Sequence, residues 1–153
     1  MAEVTIPDTA DFVPLLSALI GKDLVVGRGD NAGDPAAISE FLMAFVDDEE
    51  RPVMLAGGDA ALAYFAGAAL ALLPKGRAED AIASNERDDD LYENYFEVMN
   101  VLTRAVNDAG GPHVRLVPGS SVDPGAIPAA TSGRTFDVTV DGYGAGALSF
   151  WLV

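Results

Sequence analysis

A chain of 153 residues, half of them hydrophobic, is long enough to bury a core and too apolar to stay disordered. Its formal charge of −15, from 24 acidic and 9 basic residues, sets up a field that repels nucleic acid and anionic membranes, so neither is expected as a partner. The absence of cysteine excludes disulfides, thiolate catalysis and cysteine-based zinc sites, and one histidine, His113, cannot build a multi-histidine metal site.

The acidic N-terminus, MAEVTIPD, shows no charged-then-apolar leader, so no secretion signal is read and a cytoplasmic location is expected. Residues 7–20 read as a first helix. Phe12, Leu15, Leu16 and Leu19 supply its buried face, Pro14 limits where its regular part begins, and Gly21 stops it. Residues 23–27 form a short strand, and 28–36 a loop whose Arg-Gly-Asp is a coincidence without an adhesive role. Residues 37–46 alternate only partly. A strand is preferred there, because the polar DDEE then turns into residues 52–56 and closes a hairpin. Gly57-Gly58-Asp59 ends the hairpin, and Asp59 N-caps an alanine-rich helix that runs to Leu73 and is closed by Pro74. This longest apolar run is shorter than the about 20 residues a bilayer span needs, so no membrane insertion is expected.

Residues 75–90 are charged and polar. The three aspartates 88–90 do not fit a calcium loop, and read instead as an N-cap and first-turn charges for the next helix. Beyond that helix, 113–117 alternate as a strand with His113 at its edge, and 118–133 form a Gly/Pro/Ser/Ala loop. Residues 135–140 are a strand of period two, 141–146 a glycine-rich turn, and 147–153 the last strand. The turn loosely mimics a dinucleotide fingerprint, but no helix follows to receive a phosphate. The order helix, strand, hairpin, helix, helix, strand, hairpin predicts a single α+β domain over 1–153, with long helices packed on a mainly antiparallel sheet.

The second long helix, residues 91–107, carries the candidate site. Leu91, Tyr95, Val98, Leu102 and Ala105 recur at the spacing of a buried stripe. Glu93, Glu97, Asn100 and Arg104 recur at the same spacing about half a turn away, so Glu97 and Asn100 stand one turn apart on the opposite face. Phe96 and Val101 flank this polar line and make the face stickier than a purely solvated one. Asparagine is a mediocre mid-helix residue, which singles out Asn100. A polar stripe opposite an apolar one is also what an ordinary surface helix shows.

Glu97-x-x-Asn100 on a long central helix resembles the CheC/CheX/FliY family of phosphatases, which act on the phosphorylated CheY response regulator of bacterial chemotaxis. The likeness is greatest to CheX, in length and in having one site. The stretches VMLAGGDAALAYFAGAALALLP and TFDVTVDGYGAGALSFWLV resemble the family's strand–turn–helix and terminal hairpin, so the resemblance spans nearly the whole chain. The family pattern is an Asp or Ser, then Glu, then Asn, and a Pro further on. Glu97 and Asn100 match its invariant pair, and Pro124 stands within a residue of the expected proline. Glu93 stands where the family has Asp or Ser, and Leu102, Thr103 and Arg104 replace the small residue and glycine after the Asn.

The resemblance implies that Asn100 holds the hydrolytic water against a phosphoaspartate, and that Glu97 pairs with the receiver's lysine and sets the docking register. Glu93, Phe96, Val101 and Arg104 are then partner-binding residues. It implies no cofactor of the chain's own, the magnesium being carried by the phosphorylated receiver domain. Two alternatives stay open: a non-catalytic binding module of the same fold, like the related rotor switch proteins, and a structural homodimer with paired sheet edges.

Overall fold

The computed structural model describes residues 4–122, 125, 130 and 132–153, and of residues 28–30 the backbone alone. Helix α1 (Thr9–Ile20) starts on a capping box, in which the Asp8 side chain accepts from the Asp11 amide and the Asp11 side chain accepts from the Asp8 amide at 3.0 Å, while Asp8 also accepts from the Thr9 amide at 2.8 Å. Pro14 lies inside the helix and does not mark where its regular part begins, because the capping box already holds the first turn. Gly21 closes the helix in the left-handed conformation, at φ 73°.

Strand β1 (Leu24–Asn31) runs further than the sequence predicts. Arg28 pairs with Phe136 and Asn31 with Arg134 of β5 (Gly133–Val140), so the Arg-Gly-Asp belongs to a strand and not to a loop. Residues 37–46 differ in the other direction. Asp34 accepts from the Ala36 amide at 2.9 Å and Pro35 follows it, a start signal that winds Pro35–Phe41 into a 3₁₀ segment. Only β2 (Met43–Val46) is strand, and it forms the expected hairpin with β3 (Pro52–Gly58). Asp47 holds their turn by accepting from the Glu49 and Arg51 amides, each at 2.9 Å. The hydrogen bond from the Arg51 amide leads in holding its carboxyl below the ordinary value.

Helix α2 (Ala60–Leu70) begins at Asp59, whose carboxylate accepts from the Leu62 amide at 2.9 Å and from the Ala147 amide at 3.2 Å. One side chain therefore caps the helix and ties it to β6 (Gly144–Leu152). The charged stretch after it contains a helix, α3 (Lys75–Ser84), which buries only Ala78 and Ala81. Helix α4 (Asp89–Asp108) follows, then β4 (Arg115–Pro118), which starts after His113.

The six strands form one sheet in the order β1-β5-β6-β3-β2-β4, and every neighbouring pair is antiparallel. The architecture is α+β. The alternation of β2 and β3 assigns Met43, Phe45, Met54 and Ala56 to the main core under the helices. It sends Ala44 and Leu55 to a smaller cluster with Leu42 and Trp151. Both faces are buried here, and this is why residues 42–46 read as nearly continuous apolar sequence. Among the described residues, no helix is long and apolar enough to cross a membrane.

Candidate functional site

Helix α4 presents the candidate site, and it is fixed at three levels. At its start, Asp88 caps the helix by accepting from the Leu91 amide at 3.1 Å. Arg77 of α3 grips the same carboxylate through two hydrogen bonds, at 3.0 and 3.1 Å, and reaches Asp90 at 3.0 Å. The Arg77 guanidinium is the main reason that the Asp88 carboxyl is held below its ordinary value. The aspartates 88–90 are thus cap and first-turn charges. Among the described residues, no group of three or more His, Cys, Asp or Glu side chains is placed to hold a metal ion.

In the middle of α4, the Tyr95 hydroxyl donates to the Phe41 carbonyl at 2.6 Å and accepts from the Gly58 amide at 2.9 Å. Burial pushes its phenol well above the ordinary value, so it stays a neutral donor. Beside it, Asn94 donates to the Gly67 carbonyl of α2 at 3.1 Å. Gly67 is needed at this crossing, because a Cβ there would lie 2.5 Å from the Leu91 carbonyl oxygen. At the end of α4, Asn107 donates to the Val114 carbonyl at 3.1 Å and accepts from its amide at 2.9 Å, tying the helix to the approach to β4.

With its inner stripe so held, the helix can expose only one face. Leu91, Tyr95, Val98, Leu102 and Ala105 are buried, while Glu93, Glu97, Asn100 and Arg104 are exposed. Phe96 and Val101 are half-buried on either side. The structure brings all six proposed site residues onto one face, as their spacing predicts. Arg104 turns away along the helix to Asp108 at 3.6 Å. The Thr103 hydroxyl donates to the Asn100 side-chain oxygen at 3.5 Å. Among the described residues, Glu93 and Glu97 take part in no ion pair. Pro124, the last position of the sequence pattern, lies outside the described residues.

Two further residues border this face, and spacing alone does not single them out. Tyr92 and Arg87 line an open cleft with Glu93, Asn94, Phe96 and Glu97. Tyr92 precedes Phe96 by one turn, a usable signal once the face is known. Arg87 arrives through the α3–α4 turn, where Asn85 is left-handed at φ 56°. His113 lies elsewhere, exposed before β4, with Nδ1 at 3.1 Å from Asp48.

Chemically, the face offers an amide that both donates and accepts, and two carboxylates with no ion-pair partner among the described residues, on a helix tied down at both ends and in the middle. It is an open surface, not an enclosed pocket.

No family model matches the chain, and no curated protein matches it. Solved structures do. FliY from Thermotoga maritima matches over 93% of this chain and 82% of its own, at 11% identity and a TM-score of 0.57. The FliM middle domain from H. pylori matches over 94% of this chain and 84% of its own, at 8% identity and a TM-score of 0.57. A chain of the H. pylori FliG–FliM complex matches over 94% of this chain and 85% of its own, at 10% identity and a TM-score of 0.56. At such identities the likeness is one of fold.

Proposed function

We propose, from the premise that this chain has the CheC/CheX/FliY fold, that it is a phosphatase for the phosphoaspartate of a response-regulator receiver domain. The observation that carries this reading is Glu97 and Asn100 standing one turn apart and exposed, Glu97 without an ion pair among the described residues, on a helix anchored at both ends and in the middle. A phosphoaspartate is a labile acyl phosphate. The receiver supplies magnesium and a lysine to stabilise the phosphoryl group in flight, and no cofactor of this chain enters the reaction. What remains is to hold a water in line with the leaving carboxylate oxygen, and positioning alone supplies much of such a rate enhancement. The Asn100 amide accepts one of the water's protons in a hydrogen bond while its N–H groups face the phosphoryl oxygens. Glu97 pairs with the receiver's lysine and sets the register, and Glu93, Phe96 and Val101 complete the docking face.

A second reading is favoured by the FliM likeness, since one of those structures is a FliG–FliM complex. In it the same face docks a signalling protein without hydrolysis. The decisive experiment measures both binding and phosphoaspartate decay for receiver domains encoded in the same genome, with and without this protein. Faster decay supports the phosphatase, and binding with unchanged decay replaces it with the docking module.

A further inference from the structure

The cleft at the N-terminal end of the site face shares Glu93, Phe96 and Glu97 with the docking face above and adds two residues that reading does not use, Tyr92 and Arg87. Two aromatic rings, Tyr92 and Phe96, line it with the carboxylates of Glu93 and Glu97, the Asn94 side chain and Arg87. Tyr92, Phe96 and Asn100 recur every four residues, so the two cleft rings share one line of α4 with Asn100. Its inner side is fixed. The Tyr92 ring packs at 5.8 Å from Tyr95 and 6.2 Å from Phe41, centroid to centroid. Its outer side already carries a cation, because the Arg87 guanidinium carbon lies 3.7 Å from the Tyr92 ring centroid.

The charges around the cleft say what it suits. The arginines of α3, α4 and their connection are matched to aspartates of this chain. Arg77 pairs with Asp88 and Asp90, Arg87 with Asp89 at 3.4 Å, and Arg104 with Asp108. Glu93 and Glu97 have no such partner among the described residues. An aromatic ring that already holds a guanidinium, beside two carboxylates with no ion-pair partner among the described residues, is complementary to a cationic side chain with an apolar stem.

We propose that this cleft receives a lysine or arginine side chain of the docking partner, and that Arg87 is a self-ligand that covers the Tyr92 ring until the partner displaces it. The proposal rests on the reading that the α4 face docks a protein, but not on that face hydrolysing anything. Arg87 opposes docking in two ways, since it occupies the ring and its charge repels the incoming cation. Its removal therefore strengthens binding of a basic group, whereas an ordinary docking residue would weaken it.

The test is a titration of the full ¹⁵N-labelled chain with N-acetyl-arginine methylamide, followed by amide chemical shifts, with N-acetyl-norleucine methylamide as the neutral control. Saturable shifts confined to Tyr92, Glu93, Phe96 and Glu97, and absent with the control, are expected. Arg87→Ala should tighten binding about threefold and Tyr92→Leu weaken it about threefold, the size of one exposed cation–ring contact. If Tyr92→Leu fails to fold, Glu93→Gln must weaken binding instead. Shifts spread over all acidic surfaces, or an Arg87→Ala protein that binds no better, would overturn the proposal even where a receiver is dephosphorylated. Tightening in Arg87→Ala supports it even where none is.

Discussion

Tyr95→Phe removes one oxygen atom from the middle of α4 and tests how the site face is held. The lost hydroxyl is the partner of two backbone groups, the Phe41 carbonyl at 2.6 Å and the Gly58 amide at 2.9 Å, and both residues are buried. Phenylalanine keeps the ring and its edge-on contact with Phe41, 5.8 Å between centroids, so packing hardly changes. A buried backbone group left without a partner costs about 1–3 kcal/mol. Two such groups, less the desolvation that the missing hydroxyl no longer suffers, put the loss at about 2–4 kcal/mol. For a chain of this length that lowers Tm by about 5–15 °C. In urea, the midpoint should fall by about 1–2 M with an unchanged slope. A loss under about 0.5 kcal/mol would refute the reasoning, because the two bonds would then not be holding α4 to β3 and to the 3₁₀ segment.

Gly67→Ala should destabilise by about 1–2 kcal/mol in the same urea assay, because the clash with the Leu91 carbonyl forces α2 and α4 apart and outweighs alanine's better helix propensity. A more stable variant would show that the crossing is looser than described. Asp88 makes stability pH-dependent in a known direction. Its folded-state value is lowered by Arg77, so its contribution is fully present above the unfolded value of about 4 and is lost as the pH falls through the lower folded one. The stability difference between the native chain and Asp88→Asn should therefore narrow on acidification below about pH 4, and a widening gap would contradict the Arg77–Asp88 account. Glu97→Ala should raise the receiver concentration needed for half-maximal dephosphorylation severalfold while changing the maximal rate little, which steady-state kinetics read directly.

Much of the architecture is legible in local sequence, for identifiable reasons. Helix α4 is long and strongly amphipathic, so its buried stripe and exposed line separate cleanly by spacing. Asp59 and Asp88 announce the two helix starts through cap chemistry that needs no tertiary context. Helix α3 is not legible, because Ala78 and Ala81 are its only buried residues and leave almost no apolar period to detect. The 3₁₀ segment hides for a related reason. Phe41 and Leu42 are apolar for tertiary packing, while Asp34-Pro35 sets the local conformation. Strand order lies beyond local pattern altogether. Placing Leu55 opposite Trp151 and Phe45 opposite Leu116 joins distant segments through shared burial. In the site, the placement of Glu93, Glu97, Asn100 and Arg104 follows from the helical repeat. Arg87 reaches the cleft only through a left-handed residue in a turn after a helix that the pattern does not reveal.

In the proposed reaction, Asn100 positions the water that hydrolyses a receiver's phosphoaspartate. Its sharpest test is single-turnover decay of a phosphorylated receiver domain at saturating concentrations of the native chain and of Asn100→Ala, with folding of both checked by circular dichroism. Decay should be accelerated by the native chain, and about a hundredfold or more of that acceleration should be lost in a folded Asn100→Ala protein that still binds the receiver. Acceleration that survives the substitution would contradict it.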